Sequence, residues 1–288
     1  MMSNEVPIQA SVGAALAGVR QNLGFIAMVS LIGAVALTLI AAASLSTPLL
    51  SIFTSVGATI ARAFVYTAFI GAALSGAASV RERIGADGWR VWAAMVVVGF
   101  FMCIVMFVLA IPGMIALVAG PMAAYVPDLE RAGSNNAAVL EIMARFVQEQ
   151  PLALLSFALF YFVVWLLLTS RLYLAAPASA DQGRILTFET WAWTKGSTLR
   201  IVATRVLLLG PAWVLVGAID MLTGRLLGFD TFDPMAAAAI AQSNPVIFLA
   251  YAFVTTFVTL FVYASLEAQL STYLYRGLKP AAAQQSAA

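Results

Sequence analysis

Apolar positions gather along the chain in six long runs, at 23–43, 58–80, 91–118, 152–170, 199–222 and 246–266, and most of the charge lies between them. Crossing a hydrocarbon core takes about 20 residues of helix at about 1.5 Å each, so every run is close to or beyond that length. Alternation at period two is absent, and the runs far exceed the roughly 10 residues of a barrel strand. The pattern predicts an all-α fold, a polytopic transmembrane helical bundle of about six spans. A single bundle domain over 1–278 would end in a small polar tail, 279–288, with nothing to bury and therefore disordered.

Shorter periodicities fill the gaps. Ile8, Val12, Leu16, Val19 and Leu23 recur at steps of three and four with Gln9, Arg20, Gln21 and Asn22 elsewhere on the wheel, which predicts an amphipathic helix in the headgroup layer. Val139, Ile142, Met143, Phe146 and Val147 form a second such stripe, and Pro151 resets the chain behind it. The loop 223–245 mixes Gly, Asp and Pro with an alanine run at 236–239, which suggests a short helix between turns.

Composition agrees with the pattern: 62% of residues are hydrophobic and 10% charged, against roughly a quarter charged in soluble proteins. The chain's start lacks a basic region directly before an apolar core, and its first run is longer than a signal-peptide core, so the first span is read as retained. Histidine is absent, which removes the commonest general base near neutral pH and the commonest zinc or haem ligand. The lone Cys103 permits no intramolecular disulfide and reads as a packing residue in the third span. There is no phosphate-cradling Gly-rich loop, no paired carboxylates at helical spacing within a span, no nucleophile elbow and no cluster of metal ligands. The expectation is a protein that is not an enzyme and needs no cofactor. Its basic residues are sparse and lie beside the spans, which fits anionic headgroups better than nucleic acid.

Charge also orients the chain. Arg20, Arg81, Arg83, Arg90, the segment 171–205, Arg276 and Lys279 fall on one side, while Asp128, Glu130, Glu141, Glu149, Asp230 and Asp233 outweigh Arg131, Arg145 and Arg225 on the other. Basic loops stay in the cytoplasm, so both termini are expected there, facing anionic lipids.

Ionisable residues within or at the ends of spans are the candidates for chemistry. Arg62, read as one turn inside the outer end of the second span, would snorkel outward or pair with Asp220 at the outer end of the fifth. Glu267 ends the sixth span at the level of Arg171 and Arg205, where a carboxylate would clamp three helix ends together. Pro112 and Pro211 are candidate helix breaks, and discontinuous helices line many transporter sites. Pro211 falls near mid-membrane and Pro112 near the outer face, so the two do not meet at one depth. Gly71, Ala72, Ser75 and Gly76 offer small-residue faces for close packing, within the chain or between copies. Trp89, Trp92, Trp191 and Trp193 mark the inner interface.

One segment carries a family-like pattern. Arg171, Pro177, then Trp193, Thr194, Lys195 and Gly196, followed by an apolar run opening with Arg200, resembles an element of bacterial six-span membrane proteins. It is similar to the membrane domain attached to some glycerophosphoryl diester phosphodiesterases and to related stand-alone inner-membrane proteins, and covers about an eighth of the chain. Gly183 and Gly196 would bracket a helix whose Ile185, Phe188 and tryptophans dip into the interface, with Lys195 at the negative end of its dipole. The resemblance implies a bacterial inner membrane. No soluble phosphodiesterase domain follows, so hydrolase activity does not carry over. The function expected is non-catalytic, lipid-associated or accessory to a membrane complex, with a membrane-protein partner or a second copy as further partners. The alternative is a secondary transporter with its site near Pro211.

Overall fold

The computed structural model describes residues 6–231 and 233–280. Thirteen α-helices, with no strand among the described residues, include six long and apolar enough to cross a membrane. The chain is an all-α, multi-pass membrane protein. In order the helices are α1 (Ile8–Gln21), α2 (Leu23–Ser46), α3 (Ser51–Ser75), α4 (Ala77–Ala119), α5 (Val126–Ala132), α6 (Asn136–Glu149) and α7 (Pro151–Arg171). Then come α8 (Ala175–Gln182), α9 (Glu189–Trp193), α10 (Thr198–Leu226), α11 (Pro234–Ser243), α12 (Pro245–Val258) and α13 (Ser265–Leu278), the last two joined by a π-helical turn, Thr259–Ala264.

Local chemistry sets most of the boundaries. Asn22 turns the chain between α1 and α2 while its side-chain amide donates to the Gly18 carbonyl at 3.0 Å. The second span starts earlier than its apolar run, at Ser51 rather than 58, because the polar residues there spend their hydroxyls on the helix itself: Ser55 donates to the Ser51 carbonyl at 2.7 Å and Thr59 to that of Val56 at 2.7 Å. It ends at Gly76, whose φ of 87° is closed to most side chains. Ala77 to Val80, expected in that span, therefore open α4 instead. Gly76 is a turn residue, and the close approach made by this stretch is Gly71 against Val80, within the chain. Asn135 caps α6 by accepting from the amides of Ala137 and Ala138.

Packing divides the chain into two compact units where the sequence reads one bundle: residues 1–97 with 170–288, and residues 98–169. In the larger unit α2 packs between α3 and α12, with Gly33 close enough to Val65 and Leu260 that a side chain there would displace one of them. Helix α1 packs along α13, and Gly18 makes room for Gln269. Helix α8 is buried almost throughout and packs on α3 and α13. Leu174, Leu186, Ile201, Leu270 and Tyr275 form one apolar core, and Ile26, Phe69, Ile70, Val91 and Leu260 another. By contrast α2, α4, α7 and α10 leave many large apolar side chains exposed, as lipid-facing walls do.

The smaller unit holds the second half of α4, α5, α6 and most of α7. Phe146 is fully buried edge-on to Tyr125, whose hydroxyl donates to Glu149 at 2.6 Å. Asp128 accepts from Arg145 and lies 2.8 Å from Arg131, tying α5 to α6.

The tail begins later than its composition suggests. Lys279 is anchored, its Nζ 2.7 Å from Asp181, while 281–288 lie outside the described residues.

Candidate functional site

The larger unit gathers a polar cluster where α3, α10 and α13 meet the end of α7. Arg205, on the second turn of α10, is 5% exposed. Its Nη1 donates to Ser170 Oγ at 2.8 Å, and its guanidinium carbon stands 4.5 Å from the centroid of the Tyr173 ring. Tyr173 in turn donates to the backbone carbonyl of Glu267 at 3.3 Å. On the far side Tyr66 of α3 shares a hydrogen bond of 3.2 Å with Ser271 of α13. Tyr66, Tyr173 and Tyr263 all lie within coulombic reach of Glu267, and Arg205 is the opposite charge acting on that carboxylate.

The π-helical turn explains how α12 and α13 serve two sets of neighbours. A wide turn admits one extra residue, so the face of α12 that packs on α2 is re-aimed before α13 meets α1 and α3. Neither Pro nor Gly marks it in the sequence. The spacing of Tyr263 and Glu267, one helical turn apart, was a signal that the phenol and carboxylate share a face.

Glu267 faces Arg205 electrostatically, but among the described residues no carboxylate lies within ion-pair distance of Arg171. The Arg171 guanidinium stacks 5.2 Å from the Trp191 ring, its Nη1 is buried without a hydrogen-bond partner, and its carbonyl accepts from Thr194 at 2.9 Å. Arginine can hold this position because a flat, weakly hydrated guanidinium tolerates an aromatic face in place of a counter-ion. Gly183 and Gly196 do adopt positive φ, at 63° and 88°, and bracket α9 with Lys195 exposed just behind it. The segment 171–205 is more than an interfacial collar, because Leu186, Thr190, Thr194 and Ser197 are buried while Ile185, Phe188 and Leu199 stay exposed.

Arg62 and Asp220 are not paired. Asp220 accepts from Tyr251 at 2.6 Å, whereas Arg62 is exposed and makes neither a hydrogen bond nor an ion pair with any described residue. Because α3 starts at Ser51, Arg62 is three turns in, about 16 Å along the axis, too far to reach past the start of the helix.

Neither proline breaks its helix: α4 runs through Pro112 and α10 through Pro211. Pro211 is exposed, and a side chain added at Gly210 would point into open space. Pro112, which cannot donate a backbone hydrogen bond, lines a cleft.

This cleft, in the smaller unit, has a volume of about 440 Å³ and lies between α4 and α7, lined by Leu109, Pro112, Ala116, Ala153, Phe157 and Tyr161 among others. Its two hydroxyl groups are already committed, Tyr161 to the Leu109 carbonyl at 2.7 Å and Ser156 to that of Ala153 at 2.8 Å. Gly113 is required at its wall: a Cβ there would overlap the Tyr161 hydroxyl and lie 2.9 Å from Cζ. Nothing in the cleft offers a charge or a free donor, so it can hold only an apolar group.

Sequence reasoning also missed the acid at the α3–α4 hairpin. Asp87, 7% exposed, lies 3.3 Å from Arg83 and 2.9 Å from Arg90, and Arg83 continues to the Ala180 carbonyl at 3.2 Å. Those arginines are therefore spent on packing α4 and α8. No group of His, Cys, Asp and Glu able to hold a metal occurs among the described residues. No protein-family model, curated protein or solved structure matches the chain.

Proposed function

We propose that this is a non-catalytic, lipid-associated protein of a bacterial inner membrane, with both termini in the cytoplasm and a lipid acyl chain held in the cleft between α4 and α7. The observation that carries the reading is the chemistry of the cleft. Its walls are hydrocarbon and aromatic rings, its two hydroxyls are internally satisfied, and its volume lies within the roughly 300–1,000 Å³ of small-ligand pockets. A polar solute would forfeit its hydrogen bonds there, whereas an acyl chain would forfeit none. Orientation rests on the segregation of basic loops, and the bacterial setting on the resemblance of the Arg171, Trp193, Thr194, Lys195 and Gly196 pattern to stand-alone six-span proteins.

The test is native mass spectrometry of lipids retained by the purified protein, compared with Ala116→Trp and Ala153→Trp, which fill the cleft from opposite walls. Retention of one lipid per chain that both substitutions abolish is expected. Retention unchanged in folded variants would sink the reading.

A further inference from the structure

We infer that the outer wall of the α3–α4 hairpin binds the phosphate of an anionic phospholipid through Arg62, with Trp89 beside it at the headgroup boundary. Two contacts fix the level of Arg62. Trp92 Nε1 donates to Thr59 Oγ1 at 3.2 Å, and Trp89 meets Phe64 edge-on at 5.6 Å. Arg62 lies between Thr59 and Phe64, so it stands opposite the stretch from Trp89 to Trp92. That stretch is where the polar surface of α4 ends: Arg90 is the last charged residue before 91–118, which holds none. Tryptophan favours such a boundary, and Trp89 is 52% exposed and set edge-on to Trp92 at 5.6 Å.

At that level the guanidinium has no hydrogen-bond or ion-pair partner among the described residues. Asp87 is occupied by Arg83 and Arg90, and Glu82 is more than two helical turns further along α4 from Trp92. The exposed hydroxyls on the same face of α3, Ser55 and Thr59, already donate to their own backbone. An exposed guanidinium beside hydrocarbon is stabilised by a counter-ion, and its planar fork matches two phosphate oxygens. The neighbouring wall of α4 is apolar, with Met95, Val96 and Val97 exposed, so the matching ligand has a phosphate attached to hydrocarbon. The site is independent of the α4–α7 cleft, and either can fail without the other.

The full-length protein is placed in vesicles of phosphatidylcholine with an equal part of phosphatidylglycerol, one lipid or the other carrying brominated chains. Quenching of Trp89 is read as the difference between the parent and Trp89→Phe. Brominated phosphatidylglycerol is expected to bind next to Trp89 about fivefold better than brominated phosphatidylcholine, the preference worth one basic residue at an anionic surface. Arg62→Gln should erase the preference and Arg62→Lys keep part of it, while Ala116→Trp in the cleft leaves it intact. In the parent itself, raised salt should weaken it. Equal quenching by the two lipids, a preference that survives Arg62→Gln or high salt, or its loss to added inorganic phosphate would each overturn the proposal.

Discussion

Arg205 holds its guanidinium 4.5 Å above the Tyr173 ring, and the Tyr173 hydroxyl reaches 3.3 Å to the backbone of Glu267. One phenol thus joins the buried cation of α10 to the start of α13, and Tyr66 adds α3 through Ser271. A cation in this position is stabilised by a ring face, a hydroxyl and a carboxylate field together, each supplied by a different segment.

Removing that cation should cost more than removing the carboxylate. Arg205→Gln removes a buried guanidinium with its contacts to Tyr173 and Ser170 and strips the charge that acts on the half-buried Glu267 carboxylate, a change worth on the order of 1–3 kcal/mol. Glu267→Gln leaves Arg205 its contacts with Tyr173 and Ser170 and should cost less. The double variant should be more stable than the sum of the singles predicts, because the second change removes the orphan created by the first. Unfolding in mixed micelles measures all three, and strict additivity would show the groups to be uncoupled.

Gly113→Ala should damage the smaller unit although it adds only a methyl group. The new Cβ overlaps the Tyr161 hydroxyl, so the ring must leave and its 2.7 Å bond to the Leu109 carbonyl breaks. Overpacking of this kind costs roughly 1–3 kcal/mol. Adding Tyr161→Ala removes the obstruction and should restore part of the loss. If Gly113→Ala melts with the parent, the close approach does not hold.

How far the sequence reaches is visible in these same residues. The six spans, α1, α6 and the helix near 236–239 were readable because each follows from periodicity or a run of apolar residues, and Gly183 and Gly196 were readable because a left-handed turn needs a residue without a side chain. Helix α8 was not, since its small residues carry no apolar stripe, and only the space between α3 and α13 makes smallness an advantage. The pairing of Arg62 with Asp220 failed because the span was started at Ala58, behind serines and threonines that bond their own helix and carry it back to Ser51. The convergence of Tyr66, Tyr173 and Tyr263 on Glu267 brings together distant positions and a π-turn that no residue type announces.

Acid should loosen the α5–α6 cap before it affects α5 or α6 singly. The Arg145 hydrogen bond holds the Asp128 carboxyl below its usual range, with the charge of Arg131 acting in the same direction. A depressed folded value means stabilisation that is complete above the unfolded aspartate value of about 3.9 and is lost as pH falls through the folded one. Hydrogen exchange over 126–149 should therefore rise only below about pH 4. Asp128→Asn should raise exchange at neutral pH and flatten that dependence. In the same cap Glu149, accepting from Tyr125, pushes the phenol up, so Tyr125 should titrate later than a free tyrosine in a spectrophotometric scan.

The end of α13 is fastened by one carboxylate, which separates two variants that a disordered tail would treat alike. Asp181 Oδ2 accepts from the Tyr275 hydroxyl at 2.6 Å and from Lys279 at 2.7 Å, and the lysine side chain is only 12% exposed. Lys279→Ala removes one charge-assisted bond from a partly shielded pair, worth about 1–2 kcal/mol after allowance for screening. Asp181→Asn weakens both bonds at once and should cost more, because the Tyr275 ring is buried in the core and cannot turn its hydroxyl to water. Tyr275→Phe should cost least, since it deletes a donor while the aspartate keeps Lys279. That order, measured by thermal unfolding in detergent, follows from a shared acceptor. Equal and negligible losses for Lys279→Ala and Asp181→Asn would mean that α13 is held by its apolar face alone.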